Sequence, residues 1–300
     1  MAFRVTTLCD QDSSPYQAFT FPLFRPRFAW LAAGESSPLV AVGAQVLEEP
    51  AGLALFEMDA PGQTAELLSV FTVPAFRRQG VATALIRHGE QVLAQRGIKR
   101  IRVVYEQGRP HSDAMRHLLA ALRYPAATVR AYVGRVQGHK LRDAAWLKPP
   151  QLPRCFEIFL WRELKPEERR QIQESQGRAP WYPDQLDPFR FEPVEGLNSV
   201  GLRFQDEVVG WQINHRIAED TIRYTALFVR QDLQTTGVAF ALLRASSWLH
   251  LNSDDARVDK ATFVVPARQE RMVQFVRKRM QPFLNQLNES VETIKELGST

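Results

Sequence analysis

Arg77, Arg78, Gly80 and Ala82 fall within six residues, in the stretch TAELLSVFTVPAFRRQGVATALI that runs from Thr64 to Ile86. Two guanidinium groups beside a glycine and a small residue can cradle an anion. Arginine supplies charge-assisted donors that match phosphate oxygens, and glycine lets a ligand approach the backbone closely. If a helix begins at Gly80, its first amides lack intrahelical partners and point outward. With the helix dipole they favour a phosphate or pyrophosphate. No Gly-x-Gly-x-x-Gly follows the preceding apolar run and no Gly-Lys-Ser/Thr follows the glycine, so two other phosphate loops are excluded by spacing. The alternative is an ordinary strand-turn-helix with a solvated basic turn.

The elements around these residues are readable. Leu67 to Val73 is rich in β-branched and aromatic residues, as a buried strand should be, and Pro74 stops it. From Gly80 onward Val81, Leu85, Val92 and Leu93 recur at helical spacing. Phe3 to Thr7 and Arg100 to Tyr105 read as strands, and Tyr16 to Phe24 as a short segment ended by proline. Ser112 is a plausible N-cap for a helix from Asp113 to Leu122, and Thr128 to Val136 reads as the last strand of the first half. The order is β-α-β-β-β-α-β-α-β.

A second copy lies downstream. Residues 221 to 243 read TIRYTALFVRQDLQTTGVAFALL, and Gly237 stands 157 positions after Gly80. At that offset strand meets strand, turn meets turn and helix meets helix, which argues duplication. The copies differ in charge: Arg77 and Arg78 become Gln234 and Thr235, Pro74 becomes Gln231, and Glu66 becomes Arg223. Two readings of the second loop stay open. Its backbone can still bind a cofactor, or it is a degenerate copy; the loss of charge favours the degenerate one. Pro149, Pro150 and Pro153, flanked by charges, suit an extended linker. The expected domains are therefore 1–150 and 151–300.

Composition sets the outer limits. Three hundred residues with 45% hydrophobic and 24% charged content suit two soluble globular domains. The net charge of +5 divides as +6 over residues 1–150 and −1 over the remainder. An anionic small molecule explains that imbalance as well as nucleic acid would. No long Lys/Arg run or basic-aromatic alternation appears, so no nucleic-acid partner is expected. Cys9 and Cys155 form no CxxC or disulfide framework, which suits a reducing cytoplasm. No apolar run approaches the roughly 20 residues that a membrane helix needs. The six histidines, His88, His111, His117, His139, His215 and His250, are scattered and read as surface or core residues; no metal site is expected.

The run Arg77, Arg78, Gln79, Gly80, Val81, Ala82 resembles the acetyl-CoA loop of the GNAT (Gcn5-related N-acetyltransferase) superfamily: Arg or Gln, two residues, Gly, one residue, Gly or Ala. Gln234 to Ala239 fits the same form. The resemblance covers most of the chain as two GNAT-like units in tandem. It implies an α/β fold in which each unit is a twisted mixed β-sheet with helices on both faces. It also implies an N-acetyltransferase that moves acetyl from acetyl-CoA to a primary amine. By the same resemblance, the backbone of Val70, Phe71, Thr72 and Val73 would hold the pantetheine arm. Arg77, Arg78, Gln79, Gly80, Val81, Ala82 and Thr83 would surround the diphosphate.

Glu66 lies eleven positions before Arg77, where several GNAT enzymes carry a glutamate general base. Strand alternation would put it on one side with Leu68, Val70 and Thr72; the plainer reading is a solvated charge near a strand end. The family often places an acidic tyrosine on the helix after the fifth strand. Here HSDAMRHLLAALRY has Leu118 or Leu119 at that position. Tyr105 and Tyr124 are the substitutes at hand, each of which also reads as a half-buried structural tyrosine. That departure keeps a second function open, a non-catalytic acyl-CoA-binding or regulatory protein. The expected acceptor is a small-molecule or peptide amine, and the expected assembly a monomer or homodimer.

Overall fold

Pro74 and Gly80 punctuate the chain as the sequence predicts: a strand ends just before the proline and a helix begins just after the glycine. The computed structural model describes residues 2–59, 63–142, 144–148, 152–253, 255 and 257–298. Two compact units emerge, one of Met1–Arg130 with Glu289–Thr300, the other of Ala131–Asn288.

The first unit runs β1 (Arg4–Thr7), α1 (Asp10–Ser13), 3-10 turns over Ser14–Phe19 and Pro22–Ser36, β2 (Leu39–Val46), β3 (Glu49–Asp59), β4 (Thr64–Thr72), α2 (Val81–Gln95), β5 (Arg100–Glu106) and α3 (Ser112–Ala121). The helix α3 starts at Ser112 itself, so the residue capping it is His111. Strands β1 to β4 pair antiparallel in sequence order, and β4 pairs parallel with β5. Each face of this sheet carries its own core. Phe56, Leu67, Leu85, Leu93 and Val103 pack under α2 and α3, while Tyr16, Phe28, Leu39, Leu53 and Leu55 pack under the 3-10 turns. Gly89 is where α2 meets the sheet; a Cβ there would stand 2.3 Å from the Phe56 ring.

The second unit continues with β6 (Thr128–Gln137), α4 (Gly138–Leu141), β7 (Phe156–Leu160), α5 (Pro166–Arg178), β8 (Val200–Phe204), β9 (Glu207–Ala218), β10 (Thr221–Val229), α6 (Val238–Leu251), β11 (Lys260–Pro266) and α7 (Glu270–Phe275). The strand β12 (Gln286–Glu296) then closes the chain. Strands β7, β8, β9 and β10 pair antiparallel in order, β10 pairs parallel with β11, and β11 pairs antiparallel with β6 from Ala131 onward.

The duplication is visible in detail. Both β2–β3 and β8–β9 hairpins turn on two residues of positive φ, Leu47 and Glu48 in one, Gln205 and Asp206 in the other, as a right-twisting two-residue hairpin requires. Gly52 and Gly210 each lie where a Cβ would strike a carbonyl, that of Phe71 at 2.8 Å and that of Phe228 at 2.7 Å.

The expected boundary at residue 150 does not coincide with the division of the units. Thr128–Val136 is a strand, but from Ala131 it belongs to the second unit. The first unit's sheet is completed instead by the tail: β12 pairs antiparallel with β5 from Ser290↔Glu106 to Glu296↔Arg100. Lys295 fastens it, with Nζ 2.8 Å from both Glu90 carboxylate oxygens and 2.9 Å from the Leu122 carbonyl. Alternating strand patterns announce strands without naming their partners.

Candidate active site

The two central parallel strands of the first unit separate. The β4–β5 ladder holds from Thr64↔Arg100 to Leu67↔Val103 and stops there, although β4 runs on to Thr72 and β5 to Glu106. Leu68 is the cause on the β4 side. It is the extra residue of a bulge, since Phe56 pairs Leu67 and Leu55 pairs Ser69. A bulge bends its strand and raises the local twist. Beyond it β4 keeps β3 on one side and has an open edge on the other. Val73 N–H donates to Ala51 O at 2.9 Å. Antiparallel pairing alternates in two-residue steps, so the backbone groups of Phe71 and Val73 serve β3. Those of Val70 and Thr72 face the opening. Of the four residues expected to offer backbone there, two do so.

The bulge also changes which side chains share a face. Glu66 was expected beside Leu68, Val70 and Thr72. The cross-strand partners show otherwise: Leu67, Val70 and Thr72 lie opposite Phe56, Ala54 and Gly52, on the α2 side, while Glu66, Ser69 and Phe71 lie opposite Glu57, Leu55 and Leu53. Phe71 accordingly stacks near Phe19, centroids 5.1 Å apart, and Ser69 Oγ is 2.8 Å from Thr20 Oγ1. One inserted residue shifts a period-two pattern to the other face.

The turn after β4 is built to present amides. Gly80 has φ +85°, which glycine adopts without penalty, and a Cβ there would meet nothing within 4 Å. Its conformation, not crowding, demands glycine, and the space above it is open. The first helical amide to find a carbonyl is Ala84, 2.9 Å from Gly80 O. The amides of Val81, Ala82 and Thr83 precede it, at the positive end of a 15-residue helix. Arg77 Nε donates to Thr72 O at 3.1 Å and Gln79 Nε2 to Ala75 O at 3.1 Å, so both side chains brace the loop. Arg78, at φ +60°, is exposed beside it. These groups fit a diphosphate: open space over a glycine, three leading amides and an adjoining guanidinium.

Glu66 sits one residue short of the parting of the strands. Arg102 Nη1 lies 3.7 Å from Glu66 Oε2, and Arg102 also binds Glu292 of β12. Glu57, directly opposite Glu66, is held by Arg27. The Glu66 side chain is 42% exposed and so reaches water. Tyr105 lies on the other face, half-buried against the α2 core. It lines a surface cavity of about 450 Å³ with Arg109, Ser112, Asp113 and Arg116. Base and acid candidates therefore do not share a face.

Tyr124 is misplaced for proton transfer. It is 6% exposed, its hydroxyl is buried without a hydrogen-bond partner, and burial, reinforced by Glu90, pushes the phenol well above its ordinary range. Lys295 Nζ lies 5.0 Å from the centre of its ring. Tyr124 is a core residue, more deeply buried than the half-buried tyrosine expected.

The second unit repeats the frame. The β10–β11 ladder stops at Tyr224↔Phe263, and Thr225 is the bulge residue, 157 positions after Leu68. Gly237 has φ +83° and open space above it. Gln234 Nε2 donates to Val229 O at 2.9 Å, which repeats the Arg77 bond. The loop itself differs. Gln231–Thr236 is wound into a 3-10 helix, so its later amides are turned to internal carbonyls. Asp232 adds negative charge there, and Arg230 is taken up by Asp232 and Glu207.

Residues 5–121 match the acetyltransferase (GNAT) family. No curated protein sequence matches the chain. Among solved structures it is similar to a tandem GNAT protein from the clavulanic acid biosynthesis pathway, with 13% identity, all of both chains covered and a TM-score of 0.69. It is similar also to a GCN5-related N-acetyltransferase from Sphaerobacter thermophilus, with 16% identity, 98% of this chain and 96% of the other covered, and a TM-score of 0.61. At these identities the likeness speaks for the fold, and it extends over both units, where the family match covers the first. Residues 5–121 thus carry the match to the GNAT acetyltransferase family, and the chain as a whole shares the fold of tandem GNAT proteins.

Proposed function

We propose that the first unit moves an acetyl group from acetyl-CoA directly to a primary amine of a small-molecule or peptide acceptor. The observation that carries this reading is the freed edge of β4, whose Val70 and Thr72 backbone groups face an opening that leads to the leading amides of α2. The edge would hold the pantetheine arm. The amides of Val81 to Thr83 would hold the diphosphate, with Arg78 alongside. Acetyl-CoA supplies the activated thioester when bound, and its thiol leaves as coenzyme A. A backbone N–H on the open edge would polarise its carbonyl. Glu66, open to water, would take the amine proton directly or through a water molecule. Tyr105 is the remaining tyrosine candidate for protonating the departing thiolate, with solvent as the other source. Two free, exposed cysteines support a cytoplasmic setting.

Calorimetric titration of acetyl-CoA into the wild type and Gly80→Glu, with free-thiol release measured over an amine panel, tests the proposal. Saturable binding that the substitution abolishes, with thiol release on at least one amine, is expected. Absence of binding, or binding that survives Gly80→Glu, ends it. Binding without turnover on any amine favours the non-catalytic acyl-CoA-binding alternative, to which the buried Tyr124 already points.

A further inference from the structure

Where the first unit has an apolar contact between α2 and its sheet, the second has a polar one. Phe56 pairs with Leu67 across β3 and β4; the corresponding pair across β9 and β10 is Asn214 with Tyr224. Gly89 and Leu93 on α2 become Ser246 and His250 on α6, each 157 positions later. All four are hydrogen-bonded. Asn214 Nδ2 donates to Ser246 Oγ and to Asn198 O, both at 2.9 Å, and Asn198 Nδ2 lies 3.2 Å from the Tyr224 hydroxyl. His250 Nε2 is 3.2 Å from Val258 O, so that nitrogen carries the proton and Nδ1, 3.2 Å from Tyr224 Oη, accepts from the phenol. Burial holds His250 below the ordinary imidazole range and pushes Tyr224 up to about 12, so both groups are neutral at pH 7. A buried polar network of this kind is seldom worth more to stability than the apolar packing it replaces. This one even leaves an acceptor, Asn198 Oδ1, without a partner.

The network borders a cavity. Beside the parting of β10 and β11 lies a space of about 600 Å³, the size that takes a drug-sized molecule. Tyr224, His250, Ser247 and Gln212 line it, the last three of them buried. Its walls are apolar, among them Leu243, Phe263, Val265 and Met272, and the exposed Arg268 and Arg271 stand at its edge. Neither arginine makes an ion pair among the described residues. The adjoining loop, wound and carrying Asp232, is poor for a diphosphate.

We propose that the second unit's cleft is a binding chamber for a small amphipathic acid, with an uncharged hydrogen-bonding group on the Tyr224–His250 network, an apolar body between the walls and a carboxylate at Arg268 and Arg271. The proposal is independent of acetyl transfer in the first unit. ω-Hydroxydecanoate, titrated calorimetrically into the full chain, is the first probe, with decanoate, decane-1,10-diamine and coenzyme A as comparisons.

Saturable binding of ω-hydroxydecanoate that coenzyme A does not displace is expected. Decanoate should bind about tenfold more weakly, since it offers the polar floor no further hydrogen bond, and the diamine should not bind. Tyr224→Phe should erase the preference for the hydroxyl acid. Leu243→Trp, which fills the cavity from its wall and leaves the network intact, should remove binding of both acids. Ser247→Ala serves as a second floor variant should Tyr224→Phe not fold. Any of the following overturns the proposal: no binding of either acid, displacement by coenzyme A, equal binding of the diamine, a hydroxyl preference that survives both floor variants, or binding that survives Leu243→Trp.

Discussion

Arg77 Nε donates to the carbonyl of Thr72, 3.1 Å away, and thereby ties the phosphate loop to the end of the strand before it. The side chain expected to meet an anion spends one donor on its own backbone. Gln234 makes the corresponding bond to Val229 at 2.9 Å without any charge. The two copies thus separate the loop's shape from its charge. Arg77→Gln should retain the brace and weaken acetyl-CoA binding only a few-fold. Arg77→Ala should lose the brace as well, about 1 kcal/mol further or roughly another fivefold. Calorimetry on both variants checks this. Equal losses would mean that the brace contributes nothing.

Gly80→Ala separates conformation from contact. A Cβ meets nothing within 4 Å, yet φ is +85°. The substitution should cost about 1 kcal/mol of stability through backbone strain alone, read as a fall of a few degrees in Tm. An unchanged Tm would show that the loop relaxes.

Gly89→Ala sets two effects against each other. Replacing a mid-helix glycine gains up to about 1 kcal/mol, but here the new Cβ would lie 2.3 Å from the Phe56 ring. Overpacking of a filled core costs about 1–3 kcal/mol, so a net destabilisation of about 1–2 kcal/mol is expected from chemical denaturation. Ser246, at the equivalent place, faces Asn214 instead of an aromatic ring. Any gain in stability would show that Phe56 can turn aside.

Glu66→Gln should lower turnover at neutral pH and leave acetyl-CoA affinity unchanged, because Arg102 retains Glu292 as its partner. A pH–rate profile identical to that of the wild type removes Glu66 from the reaction.

His250 gives the second unit an acid limit. Its folded pKa is lowered by burial, with Asp259 and Glu195 opposing and Arg216 adding to the shift. The unfolded chain therefore takes up a proton first. Stability is full above the ordinary imidazole value of about 6.5 and falls as pH drops from there through the depressed folded value. His250→Leu, the residue that the first unit carries as Leu93, should flatten that part of the Tm–pH curve. An unchanged acid slope would place the sensitivity elsewhere.

Strand, proline turn, glycine and helix were legible from Leu67 to Leu93 because each residue type has one dominant local cost. The bulge at Leu68 was not: no glycine or proline marks it, and it arises from how two strands part. Its consequence, Glu66 turned away from Val70 and Thr72, was equally hidden. The exchanged positions of β6 and β12 escaped notice because hydrophobic alternation names a face and not a neighbour. The Tyr224–His250 network did leave a trace, four apolar or small positions turned polar, three at an offset of 157 and the fourth, Phe56 to Asn214, at 158. Those positions lie behind the loop, on β9, β10 and α6.

The tail strand sets an order on biosynthesis. Arg102 cannot meet Glu292, nor Glu90 meet Lys295, until β12 has left the ribosome. Residues 1–130 must wait with β5 uncovered along one side while the whole of the intervening unit is made. A chain cut short before Gln286 would therefore leave incomplete the sheet whose other strands were translated first.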